Sequence, residues 1–185
     1  MLQKSFKNPL VLSIILGLAL FACKKESIDT EDENELITSV KLNFTTNGST
    51  QTFAYSDPDG DGGKTPTVST ISLKPNTTYT MTIEILDESK TPVNNITNEV
   101  ANEKDEHLFI YTPTPSSLLT YTYGDKDSRN FNVGLTGSVR TGAAGTGKLK
   151  VQLRHQPPVN GTPSKNGSTS PGSDDVNIDF NVTIQ

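Results

Sequence analysis

Three aspartates at alternating positions form the first segment that could do chemistry. The stretch SDPDGDGGK, residues 56–64, places Asp57, Asp59 and Asp61 two residues apart and follows them with Gly62. Calcium takes about six to eight oxygen ligands, and a tightly coiled loop with this spacing can aim three carboxylates at one ion. The twelfth loop position is Val68 instead of a glutamate, which excludes an EF-hand but leaves a calcium loop between two strands. The alternative is a simple turn, because Asp, Pro and Gly are also the preferred turn residues.

The second candidate is the histidine pair. His107 has the same alternation parity as Phe109, and His155 has the same parity as Leu153, so we expect both imidazoles to point inward at the rim of a strand layer. Neutral imidazole is the commonest transition-metal ligand, and Glu106 could add an oxygen donor. The pattern therefore predicts a transition-metal site, or axial ligation of a haem by the two histidines, at His107, His155 and Glu106.

This prediction has an alternative as well. Each histidine could instead end a strand and form a hydrogen bond with a loop carbonyl. Whether residues 107 and 155 are neighbours depends on which strands pair, and the sequence does not show this.

Motifs for catalysis are missing from the sequence. There is no Gly-x-Ser-x-Gly nucleophile motif, and the segment GAAGTGKL has Leu149 where a P-loop needs Ser or Thr to hold magnesium. The residues that follow alternate as a strand.

Tyr111, Tyr121 and Tyr123 on a predicted hairpin could form an aromatic platform for sugars. We predict that the protein is not an enzyme.

Strands must position these side chains, because alternation of apolar and polar residues dominates the chain. Thr, Ser, Asn and Gly are abundant, which favours strands joined by turns. Strands are predicted within residues 40–44, 53–55, 71–73, 78–87, 107–112, 118–124, 130–137, 149–153 and 176–184. At most one short helical turn is expected, within residues 93–106. The Pro-, Gly- and Ser-rich segment 154–175 is predicted to be a mobile loop.

Eight or nine strands with one apolar face each need a second sheet to cover that face. We therefore predict an all-β fold for residues 36–185, an antiparallel β-sandwich that is immunoglobulin-like in the loose sense. About 150 residues is the usual size of a single domain.

The N-terminus indicates export. Lys4 and Lys7 precede an apolar run at residues 10–22, which is too short for a membrane-spanning helix and ends at Cys23, the only cysteine. Residues 1–22 are thus a predicted signal peptide. The sequence LFAC resembles a lipobox, which implies that Cys23 is acylated, for example with palmitate, and holds the chain on a membrane. The acidic segment up to residue 35 is a predicted flexible tether.

The chain also resembles uncharacterised surface lipoproteins of the Bacteroidota type. CKKE after the signal peptide is similar to their surface-export signal, and SDPDGDGG, EKDEHLFIY and LRHQPP are similar to segments of lipoproteins found near TonB-dependent receptors. The resemblance implies attachment to the outer membrane, facing the cell surface, and an outer-membrane receptor as partner.

Charge narrows the class of partner. The chain has 16 basic and 21 acidic residues, a formal charge of −5, which argues against nucleic acid as a partner. The predicted function is a lipid-anchored envelope binding module that captures a metal or nutrient beside an uptake receptor, with calcium as the first candidate cofactor. The alternative is a structural or adhesive surface protein that contacts a partner through its loops.

Overall fold

The computed structural model of the protein describes residues 36–185, without the side chain of Asp61. The predicted signal peptide, Cys23 and the acidic tether lie outside the described residues. Within them, the chain forms strands joined by turns, with one α-helix.

The strands in chain order are β1 (Ser39–Thr46), β2 (Ser49–Ser56), β3 (Thr67–Val68), β4 (Ile71–Leu73), β5 (Thr78–Asp87), β6 (Asn94–Asn95), β7 (His107–Thr114), β8 (Leu119–Tyr123), β9 (Thr136–Thr141), β10 (Gly145–His155) and β11 (Ser173–Ile184). The α-helix α1 spans Ile96–Asn102, and a 3₁₀ turn spans Gly60–Gly62. The predicted helical turn is thus present, as about two turns of helix.

Two sheets form a sandwich, which confirms the predicted fold class. The first sheet has the order β3-β2-β1-β5-β9-β8, with β6 added to β5, and the second has the order β4-β11-β10-β7. Every pair of neighbouring strands is antiparallel except β4 and β11, which run parallel. The sheets are therefore not purely antiparallel as predicted, but the parallel pair involves only the three residues of β4.

The core lies between the two sheets and follows from the alternation. In β5, Tyr79, Met81 and Ile83 are buried while Thr80 and Thr82 are exposed. β1, β10 and β11 contribute inward residues in the same way, including Phe44, Val151 and Phe180. Burying one large apolar side chain contributes about 1.5–3 kcal/mol, so this two-layer core supplies the main stabilisation of the fold.

One predicted strand, at residues 130–137, is wrong for residues 130–135, and only its last two residues lie in a strand, β9. Asp125 accepts hydrogen bonds from the backbone N–H groups of Gly134 and Leu135, at 2.7 and 2.8 Å, and Asp127 accepts those of Arg129 and Phe131, at 2.9 and 2.8 Å. Because carboxylates satisfy these donors, the segment forms a loop instead of a ladder. The strand β9 begins only at Thr136.

The long loop between β10 and β11, which the sequence predicts to be mobile, makes buried contacts with the rest of the domain. The Lys165 side chain is fully buried, and its ammonium donates to the carbonyl of Lys104 at 2.7 Å and lies 3.1 Å from Asp127 Oδ2. Gln156, at the start of the loop, is also fully buried. A buried charge must be paired, so these contacts hold the loop against the domain.

Candidate metal centre

The two histidines lie side by side at one end of the second sheet. β7 and β10 pair antiparallel, and their register sets His107 opposite His155. The imidazole rings are stacked, with centroids 4.7 Å apart and planes inclined by 6°. The strand pairing thus brings together two residues that are 48 positions apart in the sequence.

The hydrogen bonding and burial of His107 leave one ring nitrogen able to bind a metal ion. Its Nδ1 lies 3.1 Å from the carbonyl oxygen of Glu103, and because a carbonyl only accepts hydrogen bonds, Nδ1 must carry the proton. Nε2 therefore keeps its lone pair, the arrangement found in most metal-ligating histidines. Burial lowers the pKa of His107 to about 4, although the bond to Glu103 acts in the opposite direction. The imidazole is neutral at pH 7 and can donate its lone pair to a metal ion.

Asp175 is the third member of the centre, and the sequence analysis missed it. Its Oδ2 lies 3.9 Å from His107 Nε2, and one ligand atom from each of His107, His155 and Asp175 lies within 4.8 Å of the other two. Ligand bonds to zinc are about 2.0–2.2 Å, so a bound ion would draw these atoms together by roughly 1 Å.

A β-bulge explains why Asp175 was missed. The register between β10 and β11 pairs Leu153 with Val176 but Arg154 with Asp174, so Asp175 is the extra residue. A bulge changes the direction in which the side chains around it point. With strict alternation, the Asp175 side chain would lie on the other face of the strand from that of Val176. The only signal in the sequence is that an acidic pair, Asp174 and Asp175, begins the last alternating strand.

Glu106, the predicted oxygen donor, lies beside the centre. Its Oε2 is 3.8 Å from His155 Nε2, but it does not belong to the three-residue group. Among the described residues, His107, His155 and Asp175 are the only such group of potential metal ligands.

The predicted calcium loop lies between β2 and β3. Asp57 Oδ2 accepts a hydrogen bond from the Tyr55 hydroxyl at 3.3 Å, and Asp59 Oδ2 accepts one from the backbone N–H of Lys64 at 3.4 Å. The Oδ1 atoms of both aspartates are buried without a hydrogen-bond partner among the described residues. The Asp61 side chain is outside the description, so a calcium site at Asp57, Asp59 and Asp61 stays a prediction.

The tyrosines do not form an open sugar platform. Tyr111 is buried and its hydroxyl donates to the carbonyl of Gly134 at 2.7 Å, while the Tyr123 hydroxyl donates to that of Phe109 at 2.8 Å. Tyr121 packs against both rings, at 4.2 and 4.9 Å between centroids. The three rings therefore connect β7 and β8 across the two sheets.

Comparisons with known proteins add no relative. No protein-family model, curated protein or solved structure matches the chain. Within residues 36–185, no helix has the length and apolar character needed to cross a membrane.

Proposed function

We propose that the protein is a lipid-anchored binding module of the cell envelope that captures a divalent transition-metal ion at His107, His155 and Asp175. The observation that carries this proposal is the stacked histidine pair with a carboxylate beside it, contributed by three neighbouring strands of one sheet. The sequence contributes the envelope part of the proposal, through the signal peptide and Cys23.

The donor set favours a transition metal at this centre. Calcium takes about six to eight oxygen ligands, whereas imidazole nitrogen suits Zn, Cu, Ni and Fe. A haem ligated by both histidines would have to lie between the two rings, but the rings are stacked 4.7 Å apart. The stacking therefore favours a single ion over a haem.

The number of ligands supports capture more than a structural role. Structural zinc sites usually have four protein ligands, while sites with three keep a position for water or an incoming molecule. An ion held by three residues can be exchanged with a partner, and an outer-membrane uptake receptor is the recipient that we propose. The net negative charge of the chain also attracts cations.

Metal titration tests the proposed capture. After treatment with a chelator, the purified protein should bind one equivalent of Zn²⁺ or Cu²⁺ in calorimetry, and the His107→Ala, His155→Ala double variant should lose this binding. Asp179→Asn, on the exposed face of β11, is the matched control and should bind as the parent does. Unchanged binding in a folded double variant would rule out the site. Calcium added to that double variant tests the aspartate loop separately.

The proposed anchor has its own test. A protein expressed with labelled palmitate should carry the label, and Cys23→Ser should not. Protease added to intact cells should degrade the chain if it faces outward. An unlabelled chain recovered from the cytosol would contradict the envelope assignment.

A further inference from the structure

One amine and one carboxyl group meet in the interior of the domain. The side chains of Lys165 and Asp127 are both fully buried, with Nζ 3.1 Å from Oδ2. A buried charge must be paired, so the two groups form at least a salt bridge. A lysine amine that has lost its proton is also a nucleophile that attacks carbonyl carbons. The same two groups are therefore the reactants of an amide bond between the side chains.

The surroundings of Lys165 favour the neutral, nucleophilic form of its amine. Burial lowers the pKa of the ammonium, although the Asp127 carboxylate acts in the opposite direction. The nearby cation of Arg129 also lowers this pKa. Nζ donates a hydrogen bond to the carbonyl of Lys104 at 2.7 Å, which holds it beside the carboxyl group. Since burial disfavours both charges, a proton can pass from Nζ to Asp127 Oδ2 and leave an amine beside a carboxylic acid.

The two oxygens of Asp127 are held differently. Oδ1 accepts hydrogen bonds from the backbone N–H groups of Arg129 and Phe131, at 2.9 and 2.8 Å. Two N–H donors on one oxygen have the arrangement of an oxyanion hole, which stabilises negative charge on that oxygen when a nucleophile adds to the carbon. Oδ2 contacts Lys165 Nζ and has no hydrogen-bond partner among the described residues. Oδ1 is thus the oxygen that stays, and Oδ2 is the one that can leave.

We infer that Lys165 and Asp127 form an isopeptide bond, an amide between Nζ and Cγ, with the loss of one water molecule. Nζ adds its lone pair to Cγ, and Oδ1 takes up the negative charge in front of its two N–H donors. The bond from Cγ to Oδ2 then breaks, and Oδ2 leaves as water with the two protons that the ammonium gives up. One cation and one anion become a neutral amide and water, so the reaction requires no other reactant.

Burial and contact both drive this reaction. Well-oriented groups within one molecule react with effective concentrations of about 10⁵–10⁸ M. Cγ is bonded to Oδ2, so the nitrogen lies beside the carbon that it attacks. The product removes two charges from the interior of the domain, and such charges are costly there even when they are paired.

The bond connects two segments that have no other covalent link. Asp127 lies in the turn that precedes β9, and Lys165 lies in the loop between β10 and β11. The sequence contains a single cysteine, so a disulfide within it is impossible. A covalent link restricts the unfolded chain and adds to the hold that the ion pair already has on this loop. The inference does not depend on the proposed metal capture.

A second lysine–aspartate pair is an internal control. Lys150 Nζ lies 3.2 Å from Asp179 Oδ1, nearly the same distance, but the two side chains are 41% and 40% exposed. Water solvates both charges, so the ammonium keeps its proton and the carboxylate stays ionised. This pair should not react.

Peptide mass spectrometry of the purified, denatured protein tests the inference. The peptides that contain Asp127 and Lys165 should be recovered as one linked species, lighter than the two parts by one water. The peptides that contain Lys150 and Asp179 should be recovered unlinked. An aspartate before a glycine, such as Asp59, can also lose water by cyclisation. Fragment spectra of the linked species, and not the mass alone, therefore locate the bond.

A variant separates the reaction from the charge pair. Lys165→Arg keeps a cation for Asp127 but has no amine, so its peptides should be unlinked and it should migrate more slowly than the parent in a denaturing gel. The peptide map of the parent stands even if this variant does not fold. Recovery of only unlinked peptides from the folded parent would overturn the inference. So would an equal yield of linked peptides from Lys150 and Asp179, or a link that persists in Lys165→Arg.

Discussion

At the scale of single residues, the centre depends on how each side chain is held. The Glu103 carbonyl places the proton of His107 on Nδ1, so Nε2 keeps the lone pair that the proposed metal site requires. A β-bulge sets the direction of the Asp175 side chain. The neighbouring Asp174 instead accepts a hydrogen bond from Arg154, with NH1 2.7 Å from Oδ1. Two consecutive aspartates thus have different partners, and each can be altered without the other.

This difference gives a matched test of the third ligand. Asp175→Asn removes the anionic donor, so we expect zinc affinity to fall roughly tenfold or more, since even indirect partners of metal ligands contribute about 10–100-fold. Asp174→Asn should leave the zinc affinity within about twofold, because the Asp174 carboxylate contacts Arg154, Gln152 and Asn177 and does not belong to the histidine group. Calorimetry measures both. Equal losses in the two variants would mean that Asp175 does not coordinate the ion.

At the scale of elements, the loop between β10 and β11 is held by a buried charge pair. The side chains of Lys165 and Asp127 are both fully buried, with Nζ 3.1 Å from Oδ2. Asp127 also accepts two backbone N–H groups of its own turn, so it orders the 125–135 segment and the long loop together. Gln156 and Pro163, which line a pocket of about 200 Å³ together with Arg129, belong to the loop that this pair fixes.

Removing one partner of this pair should be costly. Lys165→Met leaves the Asp127 carboxylate buried without its cation, so we expect the free energy of unfolding to fall by about 3–5 kcal/mol. Lys150→Met removes a half-exposed partner of Asp179, at 3.2 Å, and should cost less than about 1 kcal/mol. Urea unfolding compares the variants, and hydrogen exchange in the loop should rise only in Lys165→Met. Similar unfolding energies would show that the buried pair does not stabilise the loop.

At the scale of the whole molecule, the tyrosine cluster joins the two sheets. Burial raises the pKa of Tyr123 to about 12, with the Asp125 carboxylate acting in the same direction. Burial also raises the pKa of Tyr111 and Tyr121 well above their usual value. A phenolate in this cluster would lose its hydroxyl donor and face a neighbouring carboxylate, so the sandwich holds these groups protonated.

The sign of the resulting pH dependence follows from linkage. In the unfolded chain tyrosine loses its proton near pH 10, whereas the folded chain keeps it to about pH 12 or above. The unfolded state therefore binds fewer protons between these values, and stability that is present below pH 10 is lost as the pH rises. We expect urea midpoints to fall between pH 9.5 and 11.5, with a smaller fall in Tyr111→Phe. Complete ionisation near pH 10 in the folded protein, by absorbance at 295 nm, would contradict this.

The strands that the sequence predicted correctly share one property. In β5 and β11, apolar and polar residues alternate without a break from residue 78 to 85 and from residue 176 to 184, and this local pattern alone distinguishes the inner face. The predicted strand at 130–137 also alternates, yet Asp125 and Asp127 capture its backbone donors. Alternation indicates which residues of a segment can be buried on one face. It does not show whether a side-chain carboxylate competes with a neighbouring strand for the backbone N–H groups of that segment.

The residues of the candidate site were also predicted only in part from the sequence. The sequence identified His107, His155 and Glu106 as candidates from residue type and parity, but it could not bring residues 107 and 155 together. It missed Asp175, because a single bulge reverses the parity of that position. It also gave no indication that Lys165 is buried in a loop of polar composition.

The sequence by itself determined the two-layer β architecture, because strand alternation is a local pattern. Export and anchoring stay predictions from another local pattern, the apolar run that ends at Cys23. Only the tertiary structure decided which side chains meet at the end of the second sheet. Strand register, a bulge and a buried ion pair between distant residues set those contacts, and they depend on the free energy of the whole packed domain.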